Sequence, residues 1–194
     1  TFRYDILFTK EKEYIWDAQK FRQKIFRKSE KGLDKDEFDN NSVHCLVFDK
    51  KHNGALVLVC RMTTFRSMSQ IINSYSGQFY DLSHLIKYPF SPLELGRFCI
   101  DPRSSDPFLL LTVSKVLFSY IKNMKRNFLF GCSSFEGSNP SKHLGSLTYL
   151  KYNHLTPKDF EIGIKAKEVI RFKSEEIEKK INMDDHKRKL PSLL

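Results

Sequence analysis

Ser91–Pro102 reads SPLELGRFCIDP, a short apolar stretch punctuated by Pro92 and Pro102. That composition predicts a strand. Strand alternation places Leu93, Leu95, Arg97 and Cys99 on one face and Glu94, Gly96, Phe98 and Ile100 on the other. A carboxylate, a glycine and an arginine within four residues exceed what a plain core strand requires. Glycine inside a strand marks a bulge or the close approach of another backbone or a ligand. A bulge at Gly96 would break the alternation and aim Glu94 and Arg97 into one cleft. On this reading Glu94 is the catalytic acid/base and Arg97 its companion. The alternative is an ordinary structural ion pair.

Working backward from this strand, Ala55–Met62 and Val43–Phe48 read as two more, joined by DKKHNG, whose Asn-Gly is a hairpin signal. Arg61 ends the second of them. Between Thr64 and Ser76 the chain is polar and predicts a flexible excursion, and Phe79–Ile86 a short helix or turn. Tyr4–Thr9 predicts a first strand, followed by a helix to about Lys28 with Tyr14, Ala18, Phe21 and Ile25 at helical spacing. Arg22 falls at the edge of that apolar stripe. A buried guanidinium there requires an anionic or carbonyl partner. The acidic loop Ser29–Asn41, with Glu30, Asp34, Asp36, Glu37 and Asp39, offers one, and lacks the EF-hand spacing for calcium.

Working forward, Asp106 and Pro107 predict the cap and first position of a helix running to about Lys125. A strand at Asn127–Cys132 and a helix at Pro140–Tyr152 follow, the latter with Leu144, Leu147 and Leu150 apolar. The order is β-α-β-β-(α)-β-α-β-α. It predicts an α/β domain over 1–160, a mixed central sheet flanked by helices. The charged segment 161–194 reads as an extension.

The chain has 194 residues, enough for one core of this kind. No apolar run approaches the length of a membrane span. Cys45, Cys60, Cys99 and Cys132 form no CxxC and sit in or beside apolar runs, so neither zinc nor a disulfide framework is expected, and a reducing, cytoplasmic setting is. The net charge of +10 suits an anionic partner: nucleic acid, an anionic membrane surface or an acidic carrier protein. Charge alone does not rank them. Nucleic acid has only this charge in its favour, because regular aromatic stacking positions are missing.

The blocks AQKFRQKIF (Ala18–Phe26), LDKDEFDNNSVHCLVF (Leu33–Phe48), CRM (Cys60–Met62), ELGRFCI (Glu94–Ile100), GCSSFEGSNP (Gly131–Pro140) and LTYLKYNHLTP (Leu147–Pro157) occur in this order. Together they resemble the GNAT-type ornithine-acyl carrier protein N-acyltransferases of ornithine-lipid synthesis. Acyl-homoserine lactone synthases are similar over the first two-thirds. The resemblance implies the acyl-CoA N-acyltransferase (GNAT) fold. It also implies transfer of a (3-hydroxy)fatty acyl group from acyl carrier protein to the α-amine of an amino acid, ornithine in the first instance, giving lyso-ornithine lipid. An acyl-homoserine lactone synthase is the alternative enzyme.

The resemblance further implies roles for particular residues. Glu94 would take the ammonium proton, and Arg97 would hold Glu94, the loop acids or the substrate carboxylate. Arg22, Phe26, Asp36, Asp39 and Arg61 would form an ordered N-terminal lid over the substrate, and Ser133 and Ser134 would face the pantetheine tunnel. No bound cofactor or metal is implied; the donor is the phosphopantetheine thioester of the carrier protein. The loop where coenzyme A-using relatives carry a glycine-rich pyrophosphate cradle reads DPRSSDPF. Without glycine, backbone approaches phosphate less closely, which favours an acidic carrier protein as partner. Peripheral contact with an anionic membrane is a further expectation, and nucleic acid is not expected. The family continues past the equivalent of Leu190–Leu194, so the resemblance also implies that this chain stops short of its last strands.

Overall fold

The computed structural model describes residues 3–135, 137 and 139–169. Strand β1 (Tyr4–Thr9) leads into helix α1 (Lys12–Arg27), which Lys28 ends in the left-handed conformation at φ 52°. Strands β2 (Val43–Asp49) and β3 (Ala55–Thr64) form the expected hairpin. Asn53 and Gly54 both take positive φ, and Gly54 N–H donates to the Asp49 carbonyl at 3.0 Å. After β4 (Tyr80–Asp81) come β5 (Pro92–Ile100), α2 (Leu109–Asn123), β6 (Phe128–Phe130), α3 (Leu144–Asn153) and β7 (Gly163–Ile164).

The main sheet has five strands in the order β1-β2-β3-β5-β6, antiparallel except for the parallel pair β5–β6. A two-stranded piece pairs β4 with β7, so the segment after residue 160 contributes to the folded body through Gly163 and Ile164. Alternation along the strands divides the core. Cys45, Val47, Leu58, Cys60, Met62 and Leu93 face α2 and its Leu109, Val113, Leu117 and Ile121. Leu46, Val59 and Cys99 face Ala18 and Phe21 of α1. A mixed sheet with a helix on each face is thus what the element order predicted.

Three local expectations are corrected. Residues 64–76 are not a flexible excursion. A 3-10 helix at Met68–Asn73 buries Met68 and Ile71 against Leu82 and Leu85, with Phe65, Tyr88, Phe90, Phe128, Phe130 and Phe160 around them. The segment expected as a short helix or turn at 79–86 holds the turn, a 3-10 turn at Ser83–Leu85, but begins with a strand, β4, that was not expected. In α3 the buried positions are Ser146 and Thr148, while Leu144 is exposed.

Asp106 does not begin α2. Its carboxylate accepts from Phe108 N–H at 3.0 Å, from Arg3 at 2.8 Å and from the Tyr4 hydroxyl, tying the start of the chain to the start of α2. Among the described residues no helix is long and apolar enough to cross a membrane. All four cysteines are free. Burial pushes the Cys99 thiol up to about 12, which keeps it protonated.

Candidate active site

The register of β3 against β5 locates the irregularity that the glycine signalled. Val59 pairs with Cys99 and Arg61 with Gly96, so the single residue Cys60 faces both Arg97 and Phe98. The extra residue is Arg97, at φ 51°. A non-glycine residue there costs on the order of 1–3 kcal/mol and persists only where its surroundings hold it. The bulge therefore lies one residue beyond Gly96. Its effect on direction is the expected one: Leu93, Leu95, Phe98 and Ile100 pack on the α2 side, while Arg97 leaves that series and shares the opposite side with Glu94.

The two side chains nevertheless take different partners. The Arg97 guanidinium donates to Asp36 Oδ2 at 2.9 Å, lies 3.5 Å from Asp34 and stacks over the Tyr75 ring at 5.0 Å. Of the three partners expected for Arg97, the loop acids are the ones observed. Glu94 is buried, and its Oε1 accepts from Ser76 N–H at 2.7 Å and Ser76 Oγ–H at 2.6 Å. Its Oε2 accepts from Tyr75 N–H at 3.2 Å. The Cys132 thiol in turn donates to Ser76 Oγ at 3.2 Å. A thiol, a hydroxyl and a carboxylate thus form one chain of hydrogen bonds at the end of β6.

Behind Arg97 lies a buried network of charges. Arg22 donates to both oxygens of Asp39, at 3.0 and 2.7 Å, and to the Asp34 carbonyl. Arg61 donates to Asp39 at 2.8 Å and to Asp36. Gln19 adds a bond to Asp39 at 2.9 Å. Three guanidinium groups and three carboxylates balance one another, as burial requires. Burial pushes the Asp39 carboxyl up, but Arg22 and Arg61 outweigh it and hold it well below the usual carboxylate range. His44, paired across the strands with Arg61, sets Nε2 at 3.0 Å from the Asp39 carbonyl, while its Nδ1 is buried without a partner. Burial holds this ring below its ordinary value, hence neutral.

Two cavities adjoin the Glu94 chain. One, of about 430 Å³, is lined by Ser76 and by Leu82, Leu85, Phe128, Phe130, Phe160 and Ile162 among others. The second, of about 470 Å³, is lined by Tyr75, Phe79, Tyr80, Cys132 and Ile164 among others. Beside them β6 pairs only with Pro92–Glu94, and Leu95–Ile100 has no β6 partner. Gly131 approaches the Leu95 carbonyl so closely that a Cβ there would collide with it. Gly131 thus keeps the chain against Leu95 just past the last β5–β6 pair, Glu94 with Phe130.

The structure therefore brings together Arg22, Asp36, Asp39, Arg61 and Arg97 in one network, and Glu94 beside it. It leaves three expected residues outside. Phe26 is exposed on α1, and Ser133 and Ser134 are exposed beyond β6 without lining either cavity. Sequence reasoning missed Tyr75, Ser76, Gln19 and Cys132 as partners of the site. The available signal was the requirement that a buried Glu94 find donors.

Residues 18–112 match the model of a family described as an acetyltransferase (GNAT) domain. The match runs from α1 to the first turn of α2 and includes the acidic loop and the bulged strand. Three curated relatives are named L-ornithine N(alpha)-acyltransferase. That of Brucella abortus is 27% identical over 135 residues, covering 66% of this chain and 48% of the relative. That of Rhodobacter capsulatus is 26% identical over 168 residues, covering 79% and 65%. That of Agrobacterium fabrum is 27% identical over 134 residues, covering 66% and 46%. The chain spans about half the length of the Brucella and Agrobacterium relatives.

Proposed function

From a GNAT domain related to the L-ornithine N(alpha)-acyltransferases, we propose an N-acyltransferase. It moves a (3-hydroxy)fatty acyl group from the phosphopantetheine thioester of acyl carrier protein to the α-amine of ornithine, giving lyso-ornithine lipid. The observation that carries this reading is the open edge of β5 beyond Glu94, where β6 no longer pairs, near an apolar cavity lined by Ser76, whose hydroxyl donates to Glu94.

Each part of the reaction has a candidate group. Pantetheine is an extended arm with amide groups, and an unpaired strand edge such as Leu95–Ile100 offers such an arm backbone partners. The cavity walls of Leu82, Leu85, Phe128, Phe130 and Phe160 favour a long apolar acyl chain over an acetyl group. The amine must lose a proton to attack the thioester carbonyl. Ser76 Oγ lines the cavity and donates its own hydrogen to Glu94 Oε1. The proton therefore passes to Glu94 through this hydroxyl. The C–N bond forms as the C–S bond breaks, and the pantetheine thiol leaves. Backbone N–H groups of Gly96–Phe98, where β5 has no β6 partner, stabilise the oxyanion in between. Arg97, fixed by Asp34 and Asp36, holds the acidic loop over the site rather than touching the reacting atoms.

The loop before α2 supports a carrier-protein donor over coenzyme A. Phe108 N–H, at the N-terminus of α2, already bonds Asp106. Asp101 lies in the same loop, paired with Arg103 at 2.6 Å. A pyrophosphate would meet two carboxylates there, where coenzyme A binding calls for free N–H groups.

The test is incubation of the full chain with acyl carrier protein thioesters and a panel of amino acids, read by mass spectrometry. N-acyl ornithine is expected, and acyl-coenzyme A should serve poorly. A lactone product, or transfer that ignores ornithine, would refute the reading.

A further inference from the structure

Helix α2 is buried along one side only. Leu109, Val113, Leu117 and Ile121 enter the core. On the opposite side Phe108, Leu111, Lys115, Phe118 and Lys122 recur at intervals of three and four, which aligns them along the helix. Phe108 is 66% exposed, Leu111 53% and Phe118 63%. Large apolar side chains scattered singly over a surface are ordinary; an aligned stripe of them is a contact surface. Phe108 to Lys122 extends about 21 Å along the axis.

The charges on this stripe narrow the partner. Lys115, Lys122 and, just past the helix end, Lys125 are exposed. Leu109–Asn123 contains no aspartate or glutamate. The nearest acid in sequence, Asp106, is already held by Arg3 and Tyr4. The stripe is therefore apolar and cationic with no compensating negative charge.

The placing of the lysines distinguishes a lipid surface from a protein. Lys115 stands between Leu111 and Phe118 within the stripe, not at its rim. Lysine is depleted from the cores of protein interfaces, where its charge would lose water without a partner. At a bilayer interface the same arrangement is favourable, because the lysine stem lies along the apolar region while its ammonium reaches the phosphate layer. A second copy packed about a two-fold axis would instead bring lysines toward lysines.

We propose that the outer face of α2 is a membrane-docking surface. Phe108, Leu111 and Phe118 enter the boundary between headgroups and acyl chains, and Lys115, Lys122 and Lys125 engage the headgroups of an anionic bilayer. This holds independently of the acyl-transfer reading. Under that reading it places a soluble donor and an amphiphilic product at the surface where the product partitions.

The test is flotation of the full chain with vesicles of phosphatidylcholine containing phosphatidylglycerol, and with phosphatidylcholine alone. Binding to the anionic vesicles, weakened by salt, is expected. Leu111→Gln combined with Phe118→Gln should lower it by about tenfold or more, from the apolar burial lost. Lys115→Gln and Lys122→Gln should each lower it about fivefold. Melting temperatures should be unchanged, because all four side chains are exposed. Absence of binding to anionic vesicles would overturn the proposal, as would binding indifferent to both sets of variants. If the parent chain does not bind anionic vesicles and the variants instead abolish binding of acyl carrier protein, or dissociate a dimer, the face belongs to that partner and the proposal fails.

Discussion

Glu94→Gln separates chemistry from scaffolding, and the structure shows that it is not a silent isostere. Were Arg97 the partner, a neutral amide would have kept its hydrogen bond. The observed partners are Ser76 N–H, Ser76 Oγ–H and Tyr75 N–H, all donors. A glutamine has one acceptor oxygen and one donor nitrogen, so either orientation of the amide points its NH₂ at a backbone N–H. An unsatisfied buried N–H costs about 1–3 kcal/mol, and the remaining bonds lose their charge assistance. The expected total is about 2–4 kcal/mol, or a fall of roughly 4–16 °C in melting temperature for a chain of this size. Loss of the general base adds a rate decrease of about 10²–10⁴-fold. The assay is single-turnover transfer from saturating acyl carrier thioester, run well below the variant's melting temperature and normalised to folded protein. Ser76→Ala is the companion. It keeps both backbone donors on Glu94 and removes only the hydroxyl that relays the proton, so it should melt closer to the parent and still transfer slowly. A folded Glu94→Gln protein that turns over within a few-fold of the parent would refute the catalytic role and leave Glu94 as the anchor of the Tyr75–Ser76 turn.

Three further outcomes follow from the same geometry. Arg22→Met leaves Asp39 with Arg61 and Gln19 as partners and removes the nearest guanidinium from Asp34, which keeps Arg97 at 3.5 Å and Arg27 at 3.7 Å; unfolding by denaturant should show a loss of about 3–5 kcal/mol, and a change well under 1 kcal/mol would contradict the buried network. Acid should lower the melting temperature in two windows: burial depresses the folded pKa of His44, so its contribution is complete above the unfolded value near 6.5 and is lost as pH falls below it. Asp39, held down by Arg22 and Arg61 against burial, contributes fully above its unfolded value near 3.8 and loses that contribution as pH falls further. A scan of melting temperature against pH should lose only its upper step in His44→Gln, and an unchanged upper step would assign it to other groups. Gly131→Ala would drive a Cβ into the Leu95 carbonyl, with an expected cost of about 1–3 kcal/mol and a loss of transfer as β5 and β6 shift; a variant with parental melting and turnover would show that the two strands can separate without consequence.

How far the sequence reached the site depends on which signal each residue carried. Arg22 was legible because helical spacing put a cation on the margin of an apolar stripe, and an acidic loop followed directly. The Asp39 and Asp34 contacts are what that combination demands. The partner of Glu94 was not legible, because Tyr75 and Ser76 end a polar segment with no clear period. Phe65, Met68 and Ile71, three residues apart, were a sign that it packs, but a 3-10 turn supplies too short a pattern to read. In α3 the leucines misled, because burial there follows Ser146 and Thr148. The bulge was foreseen, but one residue early, and the physical reason is informative. Gly96 pairs with Arg61 and has open room where a Cβ would stand, so neither space nor backbone requires the glycine there; the strained conformation falls on Arg97. That strain, on the order of 1–3 kcal/mol, is offset by what it makes possible: a guanidinium turned out of the sheet onto Asp36 and Asp34, under the Tyr75 ring. A glycine at the strained position would relieve the backbone and lose the clamp. One irregular residue thus does two things. It closes the acidic loop over the sheet, and it lies in the stretch of β5 just past Glu94 that pairs with β3 but not with β6, which leaves the carboxylate at the start of that open edge.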